Sequence, residues 1–157
     1  MDDADRRILH WLQIDTTMPI AELAERAGLS ASPCWRRVQK LTADGVIRAR
    51  VALLDAALVN VGVNVFVSVR TNQHKKAWAD AFCGCVMALP EVVGFYRMAG
   101  DVDYLLHIVV PDIAGYDSVY KRLIERIELS DVSASFAMET LKSTTALPLN
   151  YARSPTT

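Results

Sequence analysis

The chain has few cysteines: three among its 157 residues, with no CxxC pair. An odd, small number of cysteines argues against a disulfide framework, and a zinc site needs ligands at close, regular spacing. Cys83 and Cys85 lie two residues apart in a predicted helix, where such side chains diverge. We therefore interpret the cysteines as packing residues and expect no metal site and no cofactor.

Long uninterrupted apolar runs are also missing. The apolar stretch from Val51 to Val69 is broken by Asp55, Asn60, Asn64 and Ser68. Its end alternates with period two, as a strand does, and this argues against a membrane span. The opening residues MDDADRR lack the apolar core of a secretory signal. We expect a cytoplasmic protein with no membrane partner.

Neither a strong net charge nor a catalytic motif is present. The net charge is −1, so any DNA affinity must come from locally placed cations and from dimerisation. The chain contains no nucleophile elbow, no phosphate-binding loop and no HExxH motif. Its three histidines, His10, His74 and His107, fall in different predicted elements. We therefore predict that the chain is not an enzyme.

Residues 20–47 predict two short helices around a glycine turn, the arrangement of a helix-turn-helix. The first helix, over 20–27, repeats apolar residues at spacings of three and four: Ile20, Leu23, Ala24 and Ala27. Gly28 stands where a helix end requires positive φ. Ser30 or Ser32 can cap the second helix, and Pro33 suits its first turn.

The second helix, predicted over 33–44, turns apolar residues inward and basic or polar residues outward. Residues 36–50 hold five basic residues against one acid, Asp44. A solvated amphipathic hairpin is the alternative, but the basic face and the short turn favour a helix that enters the major groove of DNA. Arg37 can instead brace the fold, and Trp35 can contact DNA or pack. The candidate DNA-binding residues are Ser30, Ser32, Trp35, Arg36, Arg37, Gln39 and Lys40.

The periodicity divides the chain into two domains and a connection. A helix over 2–13 completes a helix-turn-helix DNA-binding domain over residues 1–50. Residues 46–54 look extended, as a small wing or a strand that pairs with a partner chain, and residues 51–62 form a linker. The remaining elements are a strand at 63–70, a helix at 75–89, strands at 92–98 and 102–110, a helix at 113–127 and a strand at 132–141.

This second set of elements predicts a ferredoxin-like βαββαβ domain over residues 63–157, so the whole chain is of the α+β class. Its helices would cover one face of the sheet. The opposite face would expose valine, phenylalanine and methionine side chains, and such a face usually requires a partner. We predict a homodimer formed through this domain.

In this order, the elements resemble those of the Lrp/AsnC, or feast/famine, family. The resemblance is carried by LSASPCWRRVQKLTADGVI at 29–47, RMAGDVDYLLHIVVPD at 97–112 and ALPL at 146–149, within a likeness that runs from about residue 2 to 149. It implies a sequence-specific transcriptional regulator that dimerises and often assembles further into octamers. It also implies a small-molecule effector, usually an amino acid, bound between subunits near the turn between the second and third strands of the sheet.

Here that turn spans residues 99–104, where GDVD matches the family's Gly-Asp-x-Asp pattern. The resemblance implies effector-binding residues at Gly100, Asp101, Asp103, Tyr104, Ala134 and Ser135. Spacing alone favours a plain hairpin turn. Many relatives carry threonine where this chain has Ala134, and the missing hydroxyl bears on which effector binds. An architectural, nucleoid-associated DNA-binding protein without an effector is the alternative function.

Overall fold

The computed structural model describes residues 1–72, 75–125, 127, 129 and 131–152. His74, residue 126 of the predicted helix 113–127, and residues 153–157 of the predicted second domain lie outside this set. The chain forms two compact units. One contains Met1–Ala52 together with the segment that begins at Lys142, and the other is Leu53–Leu141. The domain boundaries drawn from the sequence stay predictions.

The first unit is built from three helices, α1 (Asp3–Leu12), α2 (Ile20–Arg26) and α3 (Ala31–Ala43). Asp2 and Asp5 form a capping box at the start of α1. Gly28 takes φ 66° in the turn after α2, as predicted. The inward faces of the three helices, with Ala27 after α2, form a shared core: Ile8, Leu9, Leu12, Leu23, Ala24, Ala27, Cys34, Val38 and Leu41. The predicted helix-turn-helix is confirmed.

The third helix begins at Ala31, two residues earlier than predicted. Ser30 has the extended backbone of an N-cap, although its side chain makes no capping hydrogen bond. Pro33 therefore lies third in the helix, still within the first turn, where a missing N–H breaks no intrahelical bond. Arg36, the first basic residue of α3, therefore lies about half a turn further from the N-terminal end of the helix than the sequence predicted.

The segment from Lys142 packs against α1, an arrangement that no periodicity in the sequence indicates. The Gln13 amide binds the backbone of Leu147 twice, donating to its carbonyl at 3.2 Å and accepting from its N–H at 2.6 Å. Arg6 donates to the Ala152 carbonyl at 2.9 Å. Leu149, in a 3-10 turn over Leu149–Tyr151, packs on the core of the three helices. The C-terminal segment thus completes the first unit.

The second unit contains β1 (Val63–Arg70), α4 (Lys76–Met87), β2 (Val92–Arg97), β3 (Tyr104–Val110), α5 (Ile113–Ile124) and β4 (Asp131–Phe136). The antiparallel sheet has the strand order β2-β3-β1-β4. Alternate residues of β1 and β3 pack with α4 and α5 in one core: Val65, Val67, Val69, Leu106, Ile108, Val110, Phe82, Val86, Val119 and Leu123. This is the predicted ferredoxin-like βαββαβ domain, and the α+β class is confirmed.

Several extended segments differ from the prediction. The strands predicted at 92–98 and 102–110 are Val92–Arg97 and Tyr104–Val110 in the structure. The last strand ends at Phe136 and does not reach residue 141, because its partner β1 begins at Val63 and Phe136 already pairs with Val65. Residues 46–54 form neither helix nor strand within the chain, so the expected wing is not seen. Pairing of this segment with a partner chain stays a prediction. No helix in the described ranges is both long enough and apolar enough to cross a membrane.

Candidate DNA and effector sites

Six of the predicted DNA-binding residues lie on the outward face of α3 or at its N-cap, and all six are exposed: Ser30, Ser32, Trp35, Arg36, Gln39 and Lys40. Trp35 is 54% exposed despite its size. Together with Ile20 and Ala31, it borders a shallow depression of about 360 Å³ at the start of α3. The inward positions Cys34, Val38 and Leu41 hold the helix on the core. This geometry leaves a polar, partly aromatic ridge exposed on the first unit.

Arg37 differs from the other six because it joins α3 to the start of α1. Its guanidinium donates to Asp2 at 2.7 Å and to Asp5 at 2.8 Å. The hydrogen bonds with Asp5 and Asp2 raise the pKa of Arg37. The Asp5 N–H and then Arg37 lower the pKa of Asp2. The structure therefore places Arg37 in a bracing position, the alternative that the sequence left open.

The cations along α3 and beyond it differ in how far they are neutralised. Lys40 pairs with Asp44 at 2.7 Å, one helical turn away, and this contact raises the Lys40 pKa. Its side chain is 75% exposed, so the pair is weak and an incoming phosphate can compete for the ammonium group. Among the described residues, no acid pairs with Arg36, Arg48 or Arg50. A polyanion would therefore meet no competing carboxylate at these three side chains.

The predicted effector turn connects β2 to β3 and is closed by backbone hydrogen bonds. Met98 donates to the Asp103 carbonyl at 2.8 Å, and Asp103 donates to the Val69 carbonyl at 3.1 Å. Gly100 adopts φ 121°, a conformation that a side chain would strain. The Asp103 carboxylate accepts from the Thr71 N–H at 2.8 Å. Asp103 thus fastens the turn to the end of β1, whereas the Asp101 side chain is exposed.

The other predicted effector residues lie on different sides of the sheet. The Tyr104 ring is buried in the core, with its centroid 4.9 Å from that of Phe82. Ala134 packs against the same core. Ser135 lies opposite Phe66 in the register, on the face that the helices do not cover. Within one chain, only Gly100, Asp101 and Asp103 of the predicted set are brought together.

Two residues next to this turn were missed from the sequence. Arg70 closes β1 and donates to the Asp101 carbonyl at 2.8 Å. It also pairs at 3.1 Å with Asp131, the residue opposite it in β4. The signal available in the sequence was a cation at the end of an apolar strand and an acid at the start of another. Among the described residues, no group of three histidine, cysteine or acidic side chains is placed to hold a metal ion.

The uncovered face of the sheet combines aromatic and small polar side chains. Phe66 and His107 stack at 4.7 Å, and the His107 ring contacts the Asn64 side chain at 2.7 Å. Burial lowers the pKa of His107. Phe66 is 40% exposed, and Tyr96, which lies opposite Leu105 in the register, is 56% exposed. His107 is therefore part of a packed surface, as the sequence suggested.

Comparison with known families matches both units. Residues 1–42 match the AsnC-type helix-turn-helix domain, and residues 64–147 match the Lrp/AsnC ligand binding domain. The second match alone spans more than half of the chain. The glutamate uptake regulatory protein of Zymomonas mobilis is 52% identical over 149 residues, which cover 95% of this chain and 91% of that protein.

Solved structures show the same fold. An AsnC family transcriptional regulator from Agrobacterium tumefaciens superposes with a TM-score of 0.95 at 59% identity, covering 98% of this chain and 100% of the other. The transcriptional regulator NMB0573 from Neisseria meningitidis, solved as a complex with L-Met, gives a TM-score of 0.90 at 34% identity, with 96% and 97% covered.

Proposed function

Because this chain belongs to the Lrp/AsnC family of transcriptional regulators, we propose that it binds specific operators by placing α3 in the major groove. Membership confirms the prediction of a DNA-binding regulator and rules out the enzymatic alternative. The observation that carries the proposal is the outward face of α3, which is exposed and has no acid before Asp44. We expect the protein in the cytoplasm, on the nucleoid.

The side chains on this face suit different parts of a duplex. Arg36 and Gln39 lie one turn apart and can donate to base edges, since arginine pairs with guanine and glutamine with adenine. Ser30 and Ser32, at the start of the helix, are placed to donate to phosphate oxygens. Lys40 would exchange Asp44 for a phosphate. Arg37 would hold α3 against α1 and contribute to binding only through the fold.

A dimer would present two such helices to successive major grooves, so that its twofold axis matches an imperfect palindrome. The uncovered sheet face supports dimerisation, because it exposes the rings of Phe66 and Tyr96. The segment after α3 supports it as well. Val51, Leu53 and Leu54 are each about 70% exposed there, and such a segment gains from pairing with a second chain. Larger assemblies such as octamers would build on this dimer.

The DNA proposal is tested with sites selected by the protein itself. Native protein is used to select duplexes from a random library, and retardation of a selected duplex is compared with that of a scrambled one. The double variant Arg36→Ala/Lys40→Ala should abolish retention of the selected duplex while sedimenting as the native protein does. The control Lys76→Ala/Lys121→Ala removes the same charge from α4 and α5, and should retard the selected duplex as strongly as the native protein does.

Each outcome of this experiment has a separate meaning. If Arg36→Ala/Lys40→Ala retards the selected duplex as strongly as the native protein does, the placement of the DNA interface on α3 is refuted. Selection that yields no preferred duplex, together with equal retention of scrambled DNA, would favour the architectural role over a specific regulator.

We further propose that the second unit senses an amino acid at the turn between β2 and β3. The turn supports this through an exposed carboxylate at Asp101, which suits an ammonium group, and through the N–H groups around Gly100, which suit a carboxylate. NMB0573, which shares the fold and 34% of the sequence, was solved with L-Met. Binding between subunits would change how the dimers assemble and therefore how the DNA-binding helices are spaced.

Effector sensing is tested by measuring thermal unfolding of the native protein with each of the twenty common amino acids. Any amino acid that raises the midpoint is then added during sedimentation and during DNA retardation. A binding amino acid should shift the midpoint and either the assembly state or the DNA affinity. If no amino acid changes any of these quantities, effector sensing is wrong for this chain.

A further inference from the structure

We propose that Arg70 binds the carboxylate of the effector and that Asp131 is an internal competitor which the effector displaces. The inference rests on the amino-acid sensing proposed above and names the residues of that site. Neither residue belongs to the Gly-Asp-x-Asp pattern. Both follow from the geometry at the edge of the turn, where the ends of β1 and β4 meet the connection between β2 and β3.

The first argument is position. Arg70 is the last residue of β1, and its Nε donates to the Asp101 carbonyl at 2.8 Å. This hydrogen bond fixes the plane of the guanidinium beside the turn that carries Gly100. A ligand held by the turn therefore lies within reach of a cation whose orientation the fold has already set.

The second argument is the donor capacity of the guanidinium. Arginine has five N–H groups, of which Nε is used on Asp101 and Nη1 on Asp131. No described residue accepts a hydrogen bond from Nη2. The two terminal nitrogens form a planar fork that matches a carboxylate through two parallel hydrogen bonds. The side chain is 56% exposed, so an effector can reach it.

The third argument is the weakness of the pair that occupies this fork. Arg70 Nη1 and Asp131 Oδ2 are 3.1 Å apart, and both side chains are 56% exposed. A pair this exposed contributes little to folding, because water and salt screen it. An effector carboxylate can therefore replace Asp131 at small cost, while the bond from Nε to Asp101 continues to hold the guanidinium in place.

The ammonium group of the same effector has a partner close by. The Asp103 carboxylate is committed to the Thr71 N–H. The Asp101 carboxylate, by contrast, accepts from no described residue, and its own backbone carbonyl is the atom bound to Arg70. Arg70 and Asp101 together form a cation and an anion suited to the two charged groups on one α-carbon. The ligand class is an α-amino acid with a free carboxylate and a free ammonium group.

The test uses the two halves of one ion pair, because they should act with opposite signs. Titration calorimetry on the full native chain is carried out with L-methionine and with each amino acid that raised the unfolding midpoint. Arg70→Gln should weaken binding by about tenfold or more, since it removes a charged, two-point contact. Asp131→Asn should tighten binding by about two- to fivefold, since it removes the competitor.

Three controls complete the design. Lys121→Gln breaks an exposed pair with Asp117 on α5 and should leave binding unchanged. Arg70→Lys keeps the charge but loses the planar fork, so it should bind the amino acid more weakly than the native chain does. This variant takes the place of Arg70→Gln if Arg70→Gln does not fold. The amide of each binding amino acid, which lacks the carboxylate, should bind the native chain as weakly as the free amino acid binds Arg70→Gln.

The outcomes separate this inference from the function on which it rests. If the native chain binds none of the amino acids, effector sensing and the role of Arg70 both fail. If the native chain binds one and Arg70→Gln binds it equally well, only the role of Arg70 is overturned. Weaker binding by both Arg70→Gln and Asp131→Asn would also overturn it, because a pair that merely supports the turn would behave in this way.

Discussion

Replacement of Arg37 by alanine should loosen the DNA-binding unit without removing any residue from its outward face. Arg37 makes two charged hydrogen bonds, of 2.7 Å to Asp2 and 2.8 Å to Asp5. These carboxylates also form the capping box of α1. The substitution therefore removes a connection between α3 and the N-terminus of α1, and leaves two acids facing each other without a cation.

The size of the effect follows from exposure. The Asp5 side chain is 16% exposed and that of Asp2 is 51% exposed. We assign about 1 kcal/mol to the partly buried pair with Asp5 and about 0.5 kcal/mol to the solvated pair with Asp2. A loss of about 1.5 kcal/mol corresponds to roughly tenfold faster amide exchange in peptides of α1 and α3, where exchange follows unfolding of this unit.

Hydrogen exchange near pH 7 measures this, and Arg36→Ala is the matched control. Arg36 is the adjacent residue, is exposed and pairs with no described acid, so its replacement should change exchange by less than about twofold. The pKa of Asp2 is lowered in the native protein, so the stability it provides is present above its ordinary pKa and is lost as the pH falls through the lowered value. The difference between native and Arg37→Ala protein should therefore shrink below about pH 4. Equal amide exchange in Arg37→Ala and Arg36→Ala would refute the bracing role of Arg37.

Two further results are expected in the second unit. Phe66→Asp places a charge on the uncovered sheet face and should convert the proposed dimer to a monomer in sedimentation equilibrium, with little change in the far-UV spectrum; a variant that sediments as the native protein does would refute this interface. His107 has a lowered pKa, so the unfolded chain takes up a proton before the native chain does, and stability should fall as the pH drops from about 6.5 through the lowered value. Thermal unfolding between about pH 8 and pH 5 measures this slope, and a slope that persists in His107→Gln would assign it to another group.

The sequence predicted which elements exist better than it predicted where they end. Periodicity places Cys34, Val38 and Leu41 on the buried side of α3, because helical geometry alone decides that. The end of β4 depends on the length of β1, a non-local quantity, so the apolar residues Met138 and Leu141 suggested a longer strand than exists. Both are almost fully exposed in the chain.

Partners across the fold were the least predictable part of the candidate sites. Helical spacing indicates the side of α3 on which Arg37 lies, but not its partners. Its ion pairs are with Asp2 and Asp5, which precede it by 35 and 32 positions in the sequence. Arg70 and Asp131 are 61 positions apart, and become neighbours only through the register of β1 with β4. Spacing could locate the turn at Gly100 but could not indicate which charge lies beside it. Where candidate positions follow the outward face of one helix, as Trp35 and Gln39 do, prediction from the sequence is most direct.

The return of the C-terminal segment to α1 has a consequence for the order of biosynthesis. The hydrogen-bond partner of Gln13 is Leu147, which is synthesised 134 residues later. At a translation rate of about 5 to 20 residues per second, this interval is about 7 to 27 seconds. During that time the nascent helix-turn-helix lacks the cover that Leu149 gives its core. The helix-turn-helix thus gains this cover only after all of Leu53–Leu141 has been synthesised, and its full stability should develop correspondingly late.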